Sequence, residues 1–396
     1  MKKLLIFFIT IIIIILYISY TPEKKSGLQE TYKEIENQDV SEEKGVFISY
    51  IDYGILNGKS KQEMEDIIDK MINNINDFGL NSVILQTSPF SDSIYPSKVY
   101  KSSHVVVKKE GDELPLDVLK YFIEKAKEKS ISVYAWVNPY RIRNNDDIDS
   151  LNKEAYYYKW LETNNIERTE KGIFLNPASQ DVLDYITKGL QELCSNYDIK
   201  GVIYDDYYYP SETIDLKNYE QTDKKISLKE YRINNINKLI EQSYSAIKKT
   251  NKNISFGLSP SGNIENNLNK EYLDIKSILK NNKIDMVIPQ LYYGFYNTQK
   301  PYVETLKEWS SINKNNTNLY VALSLYKSGK VDKWAGDGKN EWLENDDIIK
   351  KQVLVARNES NYKGFYIFRY DNLFNNISNK KLNSEVDNLK EIIKTK

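Results

Sequence analysis

From Gly45 onward, short apolar runs alternate with longer stretches in which apolar residues recur every three or four positions. The short runs read as buried strands and the longer ones as amphipathic helices. Strands are predicted at Val46–Ile51, Ser82–Leu85, Ile131–Val137, Gly201–Tyr204, Ile254–Leu258, Ile284–Ile288, Leu319–Leu325 and Tyr362–Phe368. Between them, Met64, Ile67, Ile68, Met71, Ile72 and Ile75 mark a helix over Lys61–Phe78 that Gly79 stops. Further helices are predicted near Leu116–Lys129, Ser179–Tyr197, Leu228–Lys249, Tyr272–Leu279, Tyr302–Ile312, Asp346–Arg357 and Leu382–Ile393. Such alternation implies a parallel sheet, and a count of eight implies a closed (β/α)₈ TIM barrel of the α/β class. No Gly-x-Gly-x-x-Gly turn follows the first strand, which argues against an open doubly wound sheet. The surplus chain lies in loops after strands two, three, four and seven. All of these fall on the C-terminal face, where this fold builds its clefts.

The pattern also divides the chain. Residues 1–20 carry Lys2 and Lys3 before an apolar run from Leu4 to Ile18, and read as a signal anchor or, if cut, a signal peptide. No small-x-small cleavage pattern and no Cys follow the run. Residues 21–44 are rich in Glu, Lys, Gln and Asn and read as a flexible charged linker. Residues 45–396 form the barrel domain. The expected location is extracytoplasmic, anchored to the membrane through the first segment, or secreted if that segment is removed.

Composition narrows the chemistry. With 55 basic and 56 acidic residues the net charge is −1, which gives no support for a nucleic-acid partner. The single Cys, Cys194, sits at an apolar helical position and reads as core. One His, His104, excludes clustered-His metal sites, and no metal or other cofactor is expected. Oligomeric state is not legible. The 32 tyrosines accompany an abundance of Ile, Lys and Asn, so only those at strand ends are taken as candidates.

The chemistry concentrates at Gly201-Val202-Ile203-Tyr204-Asp205-Asp206-Tyr207-Tyr208-Tyr209-Pro210, a buried strand that ends in two carboxylates and a row of aromatic rings. Buried charge requires a compensating reason. Glycoside hydrolysis uses a proton donor and a second carboxylate, about 5–5.5 Å apart for retention or about 6.5–9.5 Å for inversion. Acids at strand C-termini are candidates for such work and those at N-termini are structural. Asp285 precedes a strand and is set aside; Asp52, Asp205, Asp206 and Asp371 end strands, and Asp92, Glu265 and Asp337 lie in loops on the same face. Consecutive strand residues point to opposite sides, so Asp205 and Asp206 share the barrel mouth only if the backbone bends there. Asp205 and Asp206 are the expected catalytic carboxylates, with Asp52 or a loop acid as alternatives for the second. Gln86, Asn138, Gln290 and Tyr292 are expected to bond sugar hydroxyls, and Tyr207, Tyr208, Tyr293 and Trp334 to stack on sugar rings. Tyr140, Arg141 and Asp52 complete the expected substrate-binding set.

Several longer motifs resemble those of the bacterial glycosyl-hydrolase-like family ten over Gly45 to Phe374. They are Gln86-Thr87-Ser88-Pro89-Phe90-Ser91-Asp92, Ala135-Trp136-Val137-Asn138-Pro139-Tyr140-Arg141, Tyr204-Asp205-Asp206-Tyr207, Gly257-Leu258-Ser259-Pro260-Ser261-Gly262, Pro289-Gln290-Leu291-Tyr292-Tyr293-Gly294 and Trp334-Ala335-Gly336-Asp337-Gly338. The resemblance implies an extracytoplasmic barrel that hydrolyses glycan strands of the bacterial envelope, some relatives acting on peptidoglycan stripped of its stem peptides. The chain departs from the family at Ser88, where an Arg is usual, in the loop Val99–Glu113, and at Asp371, where a small residue is usual. The expected function is a membrane-tethered, endo-acting glycosidase on cell-wall glycan. The alternatives are a non-catalytic carbohydrate-binding barrel and a metal-dependent deacetylase or esterase.

Overall fold

The computed structural model describes residues 42–313, 317–375 and 379–394. The signal anchor and nearly all of the charged linker expected from the sequence lie outside the described residues. Eight parallel strands close into a barrel: β1 (Glu43–Ile48), β2 (Ser82–Ser88), β3 (Ser132–Val137), β4 (Gly201–Tyr204), β5 (Ser255–Leu258), β6 (Met286–Val287), β7 (Asn318–Ser324) and β8 (Tyr362–Phe368). β1 pairs with both β2 and β8, which completes the ring. Eight main helices separate the strands or follow the last: α1 (Lys61–Phe78), α2 (Val118–Glu128), α3 (Gln180–Asn196), α4 (Leu228–Thr250), α5 (Ile275–Lys280), α6 (Tyr302–Ile312), α7 (Ile348–Ala356) and α8 (Lys380–Lys394). Among the described residues no helix is long and apolar enough to cross a membrane.

Local chemistry sets the boundaries. Ser60 and Glu63 exchange side-chain and backbone hydrogen bonds at the start of α1, and Gly79 ends it at φ +95°. β1 starts at Glu43, two residues before the predicted domain start, and stops at Ile48. The apolar pattern had extended it to Ile51, but Ser49 and Asp52 cap a short helix, Tyr50–Tyr53. β6 is shorter than predicted because Pro289 follows it; single bridges from Gln290 to Ser261 and Ala322 keep the ring closed above.

The barrel interior is a second apolar cluster, separate from the layer between strands and helices. Its lower part is built from Tyr134, Tyr320 and Tyr366, whose hydroxyls converge with Ser82 on the Glu43 carboxylate. Gly45 and Gly201 leave room for the Tyr366 and Tyr134 rings; a Cβ at either would collide with them. These three tyrosines correct the reading of mid-strand tyrosines as compositional background: they fill the barrel and satisfy a carboxylate at its floor.

The long C-terminal-face loops are tied down. The loop after β3 folds into a three-stranded antiparallel sheet of Arg141–Arg143, Gly172–Leu175 and Ile166–Thr169. The loop after β4 is fastened to α4 by the buried Arg232–Asp215 pair at 2.9 Å, with Tyr209 donating to Asp215 at 2.6 Å and Arg232 to the Tyr272 hydroxyl at 2.7 Å. The loop after β7 holds the one after β6: the Glu341 carboxylate accepts from Phe295 N at 2.8 Å and Tyr296 N at 2.9 Å.

Candidate active site

Inward-facing positions change from apolar to polar at the top of the barrel. On β4, Ile203 faces the interior, and Tyr204 faces outward, its hydroxyl sharing a 2.9 Å hydrogen bond with Ser243 of α4. Asp205 is the next inward position and is only 5% exposed. On the neighbouring strands, Trp136 precedes Asn138 and Ile84 precedes Gln86 in the same alternation. Asp205 Oδ2 accepts from Asn138 Nδ2 at 2.6 Å. Asn138 Oδ1 in turn accepts from Gln86 Nε2 and from Arg141 Nη2, the latter at 3.2 Å. Gln86 Oε1 is used by Tyr50 N at 2.9 Å. Arg141 also donates to Pro89 O, and its guanidinium lies 4.9 Å from the Phe90 ring, 5.5 Å from Tyr207 and 5.8 Å from Tyr50. Every member of this chain therefore has its orientation set by another.

Asp206 is the second residue past the end of β4, where the backbone has left the strand and bends. The bend overcomes strand alternation, so Asp206 joins Asp205 instead of pointing away. Asp206 is partly exposed. Burial, and next the charge of Asp205, push its carboxyl up to about 7, against the opposing effect of the Gln290 amide. Burial also raises Asp205, but Arg141, Asn138, the Tyr207 backbone and the Trp136 indole favour its charged form. The two titrate as a pair: burial raises both carboxyls, the Asp205 charge adds to the rise at Asp206, and Arg141 and Asn138 oppose it at Asp205.

The structure sorts the remaining candidates. Asp52 is not free to meet a substrate. Its carboxylate takes Ser49 N and Ser49 Oγ at 2.7 Å each, Asp371 N at 2.9 Å, and Arg369. It joins the end of β1 to the end of β8. Tyr140 is likewise corrected: its ring is buried in the layer outside the barrel. Tyr208 is buried too and offers no stacking face. Gln86 and Asn138 are buried and engaged in the chain to Asp205, which makes them positioning residues instead of sugar ligands. Gln290 donates to Ser259 O at 3.0 Å and lies beside Asp206. Tyr292 is close enough for both carboxylates to act on it, with its ring 5.9 Å from Phe368 and 6.1 Å from Tyr326. The Tyr293 ring packs against Gly262 of the β5 loop. Tyr207 is 59% exposed and Trp334 86% exposed, so both rings are presented to solvent at the rim.

Three further residues belong to the site. Glu271, in the β5 loop, accepts from Tyr208 N and Tyr209 N at 3.1 Å and so holds the bend that presents Asp206. Burial is the main cause raising its carboxyl, with the Asp205 charge adding to it. In the sequence it reads as the residue before a helix, with nothing to mark it. Trp136 lies under the carboxylates, and its mid-strand position suggests core alone. Tyr326 meets the Tyr292 and Phe368 rings edge to face and lines a cavity of about 230 Å³ with Trp334 and Lys330. Among the described residues, no three His, Cys, Asp or Glu side chains converge as a metal site requires.

Comparison with known proteins agrees with this architecture. The chain is 26% identical over 344 residues to the glycosyl hydrolase DigH of Escherichia coli K12, covering 80% of this chain and 77% of that one. It is 28% identical over 350 residues to the glycosyl hydrolase YngK of Bacillus subtilis 168, covering 82% and 67%. Among solved structures, the glycoside hydrolase domain of PgaB (BpsB) from Bordetella bronchiseptica superimposes with a TM-score of 0.54 at 11% identity, covering 89% of this chain and 98% of that one. The endo-1,4-beta-mannanase of Rhizomucor miehei gives 0.53 at 12%, covering 90% and 95%. At such identities these two structures speak for the fold alone. The glycosyl hydrolase-like 10 family model matches residues 44–337, a span that contains the carboxylate pair and the loops around it, and the chain belongs to that family, a glycoside hydrolase on a (β/α)₈ barrel.

Proposed function

We propose that this glycosidase cleaves glycan strands of the bacterial cell envelope, with peptidoglycan as the substrate, by carboxylate acid–base catalysis at the Asp205–Asp206 pair. The observation that carries the reading is a pair of consecutive carboxylates just past the C-terminal end of a barrel strand, one of them, Asp205, buried and held by the Asn138 amide at 2.6 Å. Asp206 keeps a proton near neutral pH and is placed to give it to the departing glycosidic oxygen. Asp205, supported by Asn138 and Arg141, stays ionised and stabilises positive charge developing on the sugar. Tyr207 and Trp334 offer ring faces for sugars on either side of the cleavage point. A basic-then-apolar N-terminus followed by a polar linker supports a tether that holds the barrel outside the membrane, beside the wall.

The test is release of reducing ends from peptidoglycan stripped of its stem peptides, using the purified protein. Asp205→Asn and Asp206→Asn are each expected to reduce release at least 100-fold without loss of folding. Equal release by wild type and Asp205→Asn would refute the assignment. Absence of release from any wall glycan would refute the substrate.

A further inference from the structure

Asp92 is a fully buried carboxylate that the reaction does not use. It closes the turn Pro89-Phe90-Ser91-Asp92 after β2, in which Ser91 holds a left-handed φ of +53°. A residue with a Cβ stays in that conformation only when its surroundings fix it. Asp92 Oδ1 supplies part of the hold by accepting from Phe90 N at 2.9 Å, and Ser91 Oγ donates to Arg141 O at 3.2 Å. The other oxygen, Oδ2, has no hydrogen bond, and neither has the buried Nδ1 of His104, 3.7 Å away. A short parallel pairing of Asp92–Ser93 with Lys101–Ser102 sets the two face to face, and Ser103 N donates to Ser93 O at 2.8 Å beside it. Such an acceptor and donor complete each other when the imidazole carries its proton on Nδ1. His104 also lines a cavity of about 620 Å³ with Lys108 and Asn152, so protons reach the pair from solvent.

The same turn carries Arg141. Arg141 Nε donates to Pro89 O at 3.2 Å, and the Phe90 ring lies 4.9 Å from the guanidinium and 5.1 Å from the His104 imidazole. Arg141 is in turn the strongest influence favouring the ionised form of Asp205. We propose that Asp92 and His104 are positioning residues for the reaction: their pairing holds the Pro89–Asp92 turn, and the turn holds Arg141 beside Asp205. The proposal rests on the reading of Asp205 as a catalytic carboxylate and names what regulates its ionisation. Burial pushes the Asp92 carboxyl up to about 6, with Ser103, Phe90 N and Arg143 opposing and Glu110 adding. Burial and Arg143 push the His104 imidazole down to about 4. Glu110 and Arg143 form their own buried pair, and burial holds the neighbouring Tyr53, Tyr100, Tyr157 and Tyr185 above their usual range. At neutral pH a carboxylate therefore faces a neutral imidazole. As pH falls through about 6 the carboxylate takes a proton, and its charge-assisted hold on Phe90 N weakens.

Protonation can be followed without any substrate. His104 is the sole histidine of the chain, so its ring nitrogens give one set of signals in a long-range ¹H–¹⁵N spectrum of the wild type. The expected state at neutral pH is uncharged with the proton on Nδ1, and the ring should stay uncharged down to about pH 5. The side-chain carboxyl ¹³C signal of Asp205, assigned by its loss in Asp205→Asn, reports the other end of the relay. His104→Phe keeps a ring against Phe90 and removes the Nδ1 donor. It is expected to raise the Asp205 pKa by about 0.5 or more, a fraction of the ~1–3 that a neighbouring cation is worth. His104→Asn returns an N–H near the Nδ1 position and should restore the wild-type value. In an Arg141→Met background His104→Phe should add nothing, because the route to Asp205 is already gone. A proton on Nε2 in the wild type overturns the proposal even if a variant fails to fold. An Asp205 pKa unmoved by His104→Phe, or moved equally with and without Arg141, overturns it as well. None of these readouts depends on cleavage, so full activity of Asp205→Asn, or no cleavage of wall glycan, is read separately as a failure of the catalytic reading.

Discussion

Replacing Asn138 with Leu tests whether the buried chain behind Asp205 governs its protonation. The substitution keeps the number and branching of side-chain heavy atoms and removes the 2.6 Å donor to Asp205 Oδ2. It also strips the acceptor from Gln86 and Arg141. A hydrogen bond to a charged group is worth about 1.5–3 kcal/mol. At 1.36 kcal/mol per pKa unit, its loss raises the Asp205 carboxyl by about 1–2 units. Asp205 has to be ionised to act, so the acidic limb of the kcat/KM profile should move toward neutral pH by about that amount. The buried Gln86 amide left without its partner adds about 1–3 kcal/mol of lost stability. The assay is a pH–rate profile on solubilised wall glycan beside a urea titration of the same protein. An acidic limb that stays in place while stability falls would show that Asn138 only fills space, and would refute the reasoning.

Three other changes probe separate parts of the fold. Asp206 has its carboxyl raised to about 7, so the folded protein binds more protons than the unfolded chain between about pH 4 and pH 7, and the wild type loses stability as pH rises through that window. Asp206→Asn cannot ionise, so its urea midpoint should gain on the wild type from pH 5 to pH 8; a constant difference between the two proteins argues against the shift. Trp334→Ala removes an 86% exposed ring at the rim and should raise KM about tenfold with kcat held, as loss of uniform binding does; a fall in kcat alone would place Trp334 elsewhere in the mechanism. Arg232→Met leaves Asp215 buried without its cation and should cost about 3–5 kcal/mol of stability in thermal or urea unfolding; a loss below about 1 kcal/mol would mean that the β4 loop is held by other contacts.

Much of the site was visible in the amino-acid pattern, and its failures have physical causes. Asp205 and Asp206 stood out because charge at the end of an apolar run is costly, and Gln86, Asn138 and Gln290 because they end inward-facing strands. What periodicity lacks is the third dimension. Asp52 looked equivalent to Asp205 until the Ser49 cap and Arg369, 317 residues away, were seen to enclose it. Tyr140 sits in a motif beside Arg141, yet one residue of phase puts Arg141 over the site and Tyr140 in the outer layer. Glu271 has no local mark, because its partners are backbone N–H groups of Tyr208 and Tyr209, 63 and 62 residues earlier.

Strand and helix order, the closure of eight repeats and the face on which chemistry gathers follow from hydrophobic periodicity, since each is a consequence of burying one side of a local element. The division of labour between two neighbouring carboxylates does not. Which one keeps a proton depends on Asn138, Arg141, Trp136 and Gln290, which arrive from β3, the β3 loop and the β6 end. Electrostatic energy is set by distance through space, and only the closed barrel brings those residues within reach.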